Sequence, residues 1–410
     1  MSAPIRLAYL VTHPIQYQAP LLRLIASQPD IDLHVMFGSD FSVRQFVDPG
    51  FGRAISWDVK LLDGYSSEVL PAFGRALADN EQPSFWRPFS HGIARRLKAG
   101  RFDALWVHGY NRASHWAAML AAKRLGLAVL VRDEATQVSA PRSLAKRVVK
   151  QAFFRTLDRL VDGYLAIGSL NRDYYLAHGI APAKLFSMPY AVDNAFFQTK
   201  VASAAAERAI LRARLGLAPD RPVILFAAKL IARKRPLDLL EAFASIAGDP
   251  AVRAPYLLFA GDGELRPALE AAIARSGLAD AHLLGFQSQA ALAALYDLAD
   301  LLVLPSEREA WGLVVNEAMN AGCAIVVNDR IGAGADLVRG GDNGFVYPCG
   351  DAGALAVSLR SVLRDPARCH AMGRSSRALI EHWGFAEDLA GLRAALASCV
   401  RVRAQAEALA

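Results

Sequence analysis

The fold is decided between residues 301 and 327. Four apolar residues, Leu301-Leu302-Val303-Leu304, lead into Pro305-Ser306-Glu307-Arg308-Glu309-Ala310-Trp311-Gly312. The chain continues as Leu313-Val314-Val315-Asn316-Glu317-Ala318-Met319 and reaches a second apolar run, Ala324-Ile325-Val326-Val327. A short unbroken apolar run reads as a strand buried on both faces, and Leu313–Ala321 has the length of a helix. Strand, loop, helix and strand in that order form a βαβ unit with parallel strands.

The same alternation extends both ways. Downstream of residue 221, strands are expected at Val223–Ala227, Tyr256–Ala260 and His282–Leu284. Helices are expected from Pro236, at Leu265–Arg275 and at Gln289–Leu298, and from about Asp351 to the end. Upstream, strands are expected at Ile5–Val11, Ile31–Phe37, Asp103–Val107, Ala128–Arg132 and Gly163–Ile167. Helical spacing occupies Tyr17–Ser27, Arg112–Leu125 and Ser143–Leu160, and Ser169 reads as the cap of another helix. Residues 38–90 are rich in Gly, Pro and aromatic residues and show no period. The pattern resets over residues 195–221, an Ala-rich polar segment ending in Pro219-Asp220-Arg221-Pro222. The expectation is two doubly wound α/β domains, 1–198 and 199–382, followed by a last helix at 383–410. Ligands bind beyond the carboxyl ends of such strands, and two domains facing a cleft would share a site there.

Composition excludes several classes. A 410-residue chain that is 53% hydrophobic and 21% charged is too apolar to be disordered. Cys323, Cys349, Cys369 and Cys399 form no CxxC pair, and the nine histidines form no HExxH. Neither a disulfide scaffold nor a metal site is expected. The apolar run Leu7–Val11 is broken by His13, Pro14 and Gln16, too early for an export signal, and no uncharged run approaches the ~20 residues that span a bilayer. A cytoplasmic protein is expected.

Charge is uneven. Residues 1–198 carry 23 basic and 16 acidic residues, and residues 199–410 carry 23 of each. The segment Arg142–Arg159 sets Arg142, Lys146, Arg147, Lys150, Arg155 and Arg159 among Leu144, Val148, Val149, Phe153, Phe154 and Leu157. A basic amphipathic helix of this kind suits an anionic membrane surface. The alternative is an apolar face packed on the sheet with solvated charges. No nucleic-acid recognition motif accompanies the charge, so no nucleic-acid partner is expected.

The chemistry gathers at strand ends. Glu309 stands at the mouth of Leu301–Leu304, and Glu317 lies one turn into the next helix. Gly312 and Leu313 mark that helix start, whose N–H groups suit an anion. Lys229 and Lys234 follow Val223–Ala227 and suit a diphosphate, which needs point charges. Gly261-Asp262-Gly263, Gly285-Phe286, and Gly332 with Gly334 follow three further strands. Upstream, His108 ends one strand and His13 lies in the first loop. Either is a site residue or a histidine bonded to backbone. Arg132 in Arg132-Asp133-Glu134 either orients a substrate or forms a structural ion pair.

These residues resemble the retaining glycosyltransferases of family 4, which have the GT-B fold. The Glu-x7-Glu signature is similar to Glu309–Glu317. The Arg-x4-Lys pair looks like Lys229 and Lys234, with Lys in place of Arg. The Gly-Asp-Gly turn and the Gly-Phe pair are similar too. Thr12-His13-Pro14-Ile15-Gln16-Tyr17-Gln18-Ala19-Pro20 resembles the first loop of some members, and Tyr190-Ala191-Val192-Asp193 the turn before the linker. Departures are Gly332-Ala333-Gly334-Ala335-Asp336 for Gly-Gly-x-x-Glu, and Glu309-Ala310-Trp311-Gly312 for Glu-Gly-Phe-Gly. They bear on which sugar is used rather than on the reaction class.

The resemblance implies that residues 1–198 bind an acceptor and residues 199–382 a nucleotide-diphosphate sugar, with the final helix returning to the first domain. It implies Glu317 on the ribose, Glu309 on the sugar, and Lys229 and Lys234 on the diphosphate. Gly261, Gly285, Phe286, Gly312 and Leu313 complete the donor site. It implies His108 against the reacting sugar, while from the residues alone His13 and Arg132 are candidates for the acceptor side, with the structural ion pair slightly favoured for Arg132. It implies retention by front-face attack without metal or cofactor, and a glycan or lipid-linked acceptor from bacterial surface polysaccharide or lipopolysaccharide synthesis. Two rivals remain. A nucleotide-sugar epimerase of the same architecture would turn over without acceptor. A non-catalytic sugar-nucleotide binding protein would bind and not turn over.

Overall fold

The computed structural model describes residues 3–48, 50–55, 57–73, 84–137 and 144–408. The chain forms two compact units. The first comprises Met1–Val47, Ala54–Tyr190 and Phe385–Ala410, and the second comprises Asp48–Arg53 and Ala191–Gly384.

Along the first part of the chain the strands are β1 (Ile5–Val11), β2 (Ile31–Phe37), β3 (Phe46–Asp48), β4 (Arg53–Ile55), β5 (Ser66–Val69), β6 (Ala72–Phe73), β7 (Phe89–Ser90), β8 (Ala104–His108), β9 (Ala128–Arg132), β10 (Gly163–Ala166) and β11 (Leu185–Ser187). The helices are α1 (Gln18–Ala26), α2 (Ile93–Gly100), α3 (Ala113–Arg124), α4 (Leu144–Asp158) and α5 (Ser169–Ala177). Seven strands form a parallel sheet in the order β11-β10-β9-β8-β1-β2-β5. Period-two alternation divides β1 between two cores. Leu7, Tyr9 and Val11 join Trp106, Leu130 and Leu165 on one face, while Ala8 and Leu10 join Val107, Val129 and Phe154 on the other. Burial on both faces is why β1 runs unbroken in apolar residues from Leu7 to Val11. Each fully buried large side chain contributes roughly 1.5–3 kcal/mol.

The second unit continues with α6 (Asn194–Arg214), β12 (Val223–Ala227), α7 (Pro236–Ala244), β13 (Tyr256–Ala260), α8 (Arg266–Arg275), β14 (Ala281–Gly285), α9 (Gln289–Leu298), β15 (Leu301–Leu304), α10 (Leu313–Asn320), β16 (Ala324–Asn328), α11 (Gly332–Leu337), β17 (Gly344–Tyr347), α12 (Ala352–Leu363) and α13 (Pro366–Ile380). Its six-stranded parallel sheet runs β14-β13-β12-β15-β16-β17. The chain moves outward from β12 to β14, then returns to β15 on the other side of β12. The switch point therefore lies between β12 and β15.

The last helix, α14 (Phe385–Ala408), belongs to the first unit, where Leu389, Leu392, Ala395, Leu396 and Cys399 pack under β1, β8, β9 and β10. Arg132 at the end of β9 reaches it, bonding Asp388 at 3.0 Å and the Met188 and Pro189 carbonyls at 3.0 Å each. Both partners of this ion pair are buried.

Several expectations need correction. The units part at Tyr190/Ala191, eight residues before the expected 198, and at Gly384/Phe385, two residues past the expected 382. The Ala-rich segment is no linker. Most of it is α6, capped by Asp193, whose carboxylate accepts the Phe196 N–H at 2.9 Å. Alanine is the best helix former but marks no amphipathic period, so the helix is silent in the pattern. The strands β5, β11 and β17 are three or four residues long and were not expected. Ser169 is the first residue of α5, with Gly168 at the cap position.

The basic helix is partitioned differently from its expected faces. The buried stripe of α4 runs through Phe154 and Leu157. One turn back, that stripe reaches Lys150, whose ammonium lies 4.8–5.9 Å from the ring centres of Phe153, Phe154, Tyr110 and Tyr174. Val148 and Val149 point to solvent instead, at 68% and 70% exposure. Arg142 and the side chains of Leu144, Lys146 and Arg147 lie outside the described residues.

Candidate active site

In the second unit all strands are parallel, so every strand-to-helix loop opens on one edge of the sheet. Lys229 follows β12, and Lys234 ends a single 3-10 turn, Ala232–Lys234, before α7. Glu309 follows β15. Although 75 residues separate them, Lys234 and Glu309 form a direct ion pair at the β12–β15 switch point. Arg233 Nη1 lies 3.6 Å from the same carboxylate. Burial pulls the Lys234 ammonium below its ordinary value, outweighing the Glu309 charge beside it. The Glu309 backbone is clamped as well. Its N–H donates to the Arg330 carbonyl at 3.0 Å, and its carbonyl accepts from Gly332 N–H at 3.1 Å.

The loop then turns at Gly312, whose φ of 106° is accessible to glycine, and α10 begins at Leu313 without a side-chain cap. Its first N–H groups and its dipole are therefore available to an anion. Glu317 lies on α10 and accepts a 2.6 Å bond from the Tyr296 hydroxyl of α9. Desolvation pushes its carboxyl up to about 7, with the Tyr296 bond working in the opposite direction.

The expected glycines sit on the same edge. Gly261 follows β13, and a Cβ there would lie 1.9 Å from the Ala228 carbonyl oxygen, so only glycine allows this approach. Gly285 ends β14 and Phe286 follows it. Gly332 and Gly334 open α11 beside the Glu309 loop. The structure thus places Lys229, Lys234, Gly261, Gly285, Phe286, Glu309, Gly312 and Leu313 along one edge of the sheet, with Glu317 further along α10 beside Tyr296. Sequence reasoning missed Tyr296, which reads as an ordinary core tyrosine and carries no motif.

The first unit has its own polar cluster at the carboxyl ends of β1, β8 and β9. His108 Nδ1 lies 3.1 Å from the Tyr9 hydroxyl and 3.2 Å from Gln18 Nε2, and its Nε2 is 3.8 Å from Glu134. The Tyr190 hydroxyl donates to Glu134 and lies 3.0 Å from that of Tyr17. Burial pushes the Glu134 carboxyl up, but the bonds from His108 and Tyr190 and the His108 and Arg132 charges hold it below its ordinary value. His13 bonds Thr12 at 2.9 Å and packs on Phe41. Burial, then the charges of His108 and Arg112, lowers its imidazole to about 4, which keeps it neutral. His108 and His13 therefore share one edge. Arg132 does not join them, because its guanidinium is committed to Asp388 and two carbonyls inside the unit. The structural ion pair is the alternative that fits, not an acceptor-side role.

Residues 207–379 match the family model described as "Glycosyl transferases group 1". The chain is 35% identical over 170 residues to the alpha-D-kanosaminyltransferase of Streptomyces kanamyceticus, covering 41% of this chain and 43% of that protein. It thus spans less than half the length of that relative. It is 26% identical over 404 residues to the D-inositol 3-phosphate glycosyltransferase of Segniliparus rotundus, covering 87% of each. Among solved structures, Anabaena HepE in complex with UDP superposes with a TM-score of 0.72 at 18% identity, covering 96% of this chain and 100% of that one. At that identity the likeness concerns architecture, and the architecture is GT-B.

Proposed function

We propose that the protein is a retaining glycosyltransferase using a nucleotide-diphosphate sugar, a reading supported by the match of residues 207–379 to the group 1 glycosyl transferases. The observation that carries this is the meeting of Lys234 and Glu309 at the switch point, one turn of chain from the uncapped start of α10. A cation, a carboxylate and free N–H groups at one sheet edge suit a ligand that is anionic at one end and hydroxylated at the other.

Glu317 accepts hydrogen bonds from the ribose hydroxyls, and Glu309 from the hydroxyls of the transferred sugar. Lys229, Lys234 and the N–H groups of α10 neutralise the diphosphate. In the chemical step the bond between the anomeric carbon and the diphosphate oxygen breaks, and a bond to the acceptor oxygen forms on the same face. The acceptor proton passes to the departing phosphate oxygen, so no side-chain nucleophile is required. The two lysines and the N–H groups stabilise the charge that develops on that oxygen, which removes the need for a metal ion. In the first unit, His108, held by Tyr9 and Gln18, and the neutral His13 are the groups offered to the acceptor.

A glycan or lipid-linked acceptor from surface polysaccharide synthesis fits the basic first half of the chain. Among the described residues no helix is long and apolar enough to cross a membrane. On α4, Val148, Val149 and Arg155 are all exposed, and Arg159 follows just beyond, a combination that suits peripheral contact with anionic lipid at the cytoplasmic face. UDP is the first nucleotide to test, because HepE was solved with it. The experiment is to incubate the protein with UDP- and GDP-sugars, with and without membrane extract and EDTA, and follow nucleotide release and product configuration. Acceptor-dependent release with a retained anomer, surviving EDTA, is expected. Acceptor-independent isomerisation of the sugar, an inverted product, or complete loss with EDTA would overturn the respective parts.

A further inference from the structure

Asp48–Arg53 belongs to the second unit, although the chain on either side belongs to the first. Asp48 accepts hydrogen bonds from Lys229 Nζ on both carboxylate oxygens, at 2.6 and 2.8 Å. Its Oδ1 also accepts the N–H groups of Gly50 at 2.8 Å and Phe51 at 3.2 Å, so the carboxylate is part of a turn. The Phe51 ring centre lies 4.8 Å from the same ammonium, and the ring meets Phe286 edge to face at 5.0 Å. Gly50 packs so closely that a Cβ there would lie 2.6 Å from Lys229 Cδ. Carboxylate, ring and glycine form a cage fitted to an ammonium on a slim stem. A planar guanidinium is wider and hydrogen-bonds in a fork.

We infer that Asp48 is an internal competitor of the diphosphate for Lys229, so that affinity for the sugar nucleotide is set partly by release of this ion pair. The inference rests on the reading of Lys229 as a diphosphate ligand. One ammonium cannot serve a carboxylate and a diphosphate equally, and the Asp48 charge repels a phosphate brought to the same cation. Lys229 is 30% exposed and Asp48 17%, so water screens the pair and a modest competition is expected.

Asp48→Asn tests this, because the Asn Oδ1 still accepts from Gly50 and Phe51 while the charge is gone. Asp48→Ser is a second variant with a short acceptor, and thermal unfolding confirms that each is folded. Calorimetry would compare UDP or GDP, inorganic pyrophosphate and the free nucleoside. The expected result is roughly three- to fivefold tighter nucleotide diphosphate and pyrophosphate, with nucleoside affinity unchanged. Unchanged or weaker diphosphate binding, or an equal gain for the nucleoside, overturns the inference. Lys229→Ala separates the two levels. If it weakens pyrophosphate and Asp48→Asn brings no gain, the competitor role fails and the donor site stands. If Lys229→Ala changes nothing, or the wild type binds neither nucleotide nor pyrophosphate, the donor-site reading itself fails.

Discussion

Replacing Arg132 with Met tests whether this residue serves a substrate or the fold. The guanidinium is buried and makes three bonds, to Asp388 and to the carbonyls of Met188 and Pro189. The pair is imperfectly satisfied, since Arg132 Nε and Asp388 Oδ2 have no hydrogen-bond partner. Burial accordingly pushes the Asp388 carboxyl up to about 7, with the Arg132 charge and its bond pulling the other way. A carboxyl raised in the folded state binds its proton more tightly there than when unfolded. Its contribution to stability is therefore complete below about pH 4 and declines as pH rises toward 7. Arg132→Met removes that downward pull, so the variant must keep Asp388 protonated or bury an unpaired charge. At pH 5, where Asp388 is largely protonated either way, the loss is that of the hydrogen bonds, about 1–3 kcal/mol. At pH 8 it grows to about 3–5 kcal/mol, the usual cost of stranding one member of a buried ion pair. For a unit of this size that is a fall in Tm of roughly 10 °C, larger at pH 8 than at pH 5. Adding Asp388→Asn should abolish the difference between the two pH values. Thermal unfolding of the wild type, Arg132→Met and the double variant at both pH values measures this. A variant that melts like the wild type at pH 8 but loses activity would refute the reasoning and return Arg132 to the acceptor.

Three further outcomes are expected. Glu309→Ala and Lys234→Ala should each leave the fold intact and lower turnover by orders of magnitude, because alignment of the sugar and neutralisation of the leaving group are lost; wild-type rates in either folded variant would remove both residues from the site. Tyr296→Phe takes away the bond that lowers the Glu317 carboxyl, so the rise in nucleotide affinity as pH climbs through about 7 should move to higher pH; calorimetry across pH 6–9 reads the midpoint, and an unmoved midpoint contradicts the assignment of Glu317 to the nucleotide. Val148→Asp together with Val149→Asp should release the protein from anionic vesicles without weakening nucleotide binding, and sedimentation that is equal with neutral vesicles or insensitive to salt would rule out electrostatic docking.

The position of Lys150 bears on that last experiment. As a basic residue in a basic run, it looks available to a lipid surface. Its ammonium instead sits among four aromatic rings, stabilised by their faces, so charge reversal there would damage packing and not report on lipid. The exposed valines are the cleaner probe.

The sequence by itself determined the two parallel-sheet architectures and the edge on which the second unit gathers its chemistry. Long apolar runs such as Val223–Ala227 and Leu301–Leu304 can only be strands covered on both faces. Once all strands are parallel, Lys229, Gly261, Phe286 and Glu309 must fall on one side. These are local regularities, and neighbouring residues along the chain encode them. Only the tertiary structure decided which partner each polar side chain takes. Asp48 meets Lys229 across 181 residues, Arg132 meets Asp388 across 256, and Tyr296 reaches Glu317 from another helix. Nothing in the spacing of a single carboxylate says whether it will face water, a substrate or a buried cation. That choice follows from how helices and sheets pack, and packing depends on the whole set of side chains at once.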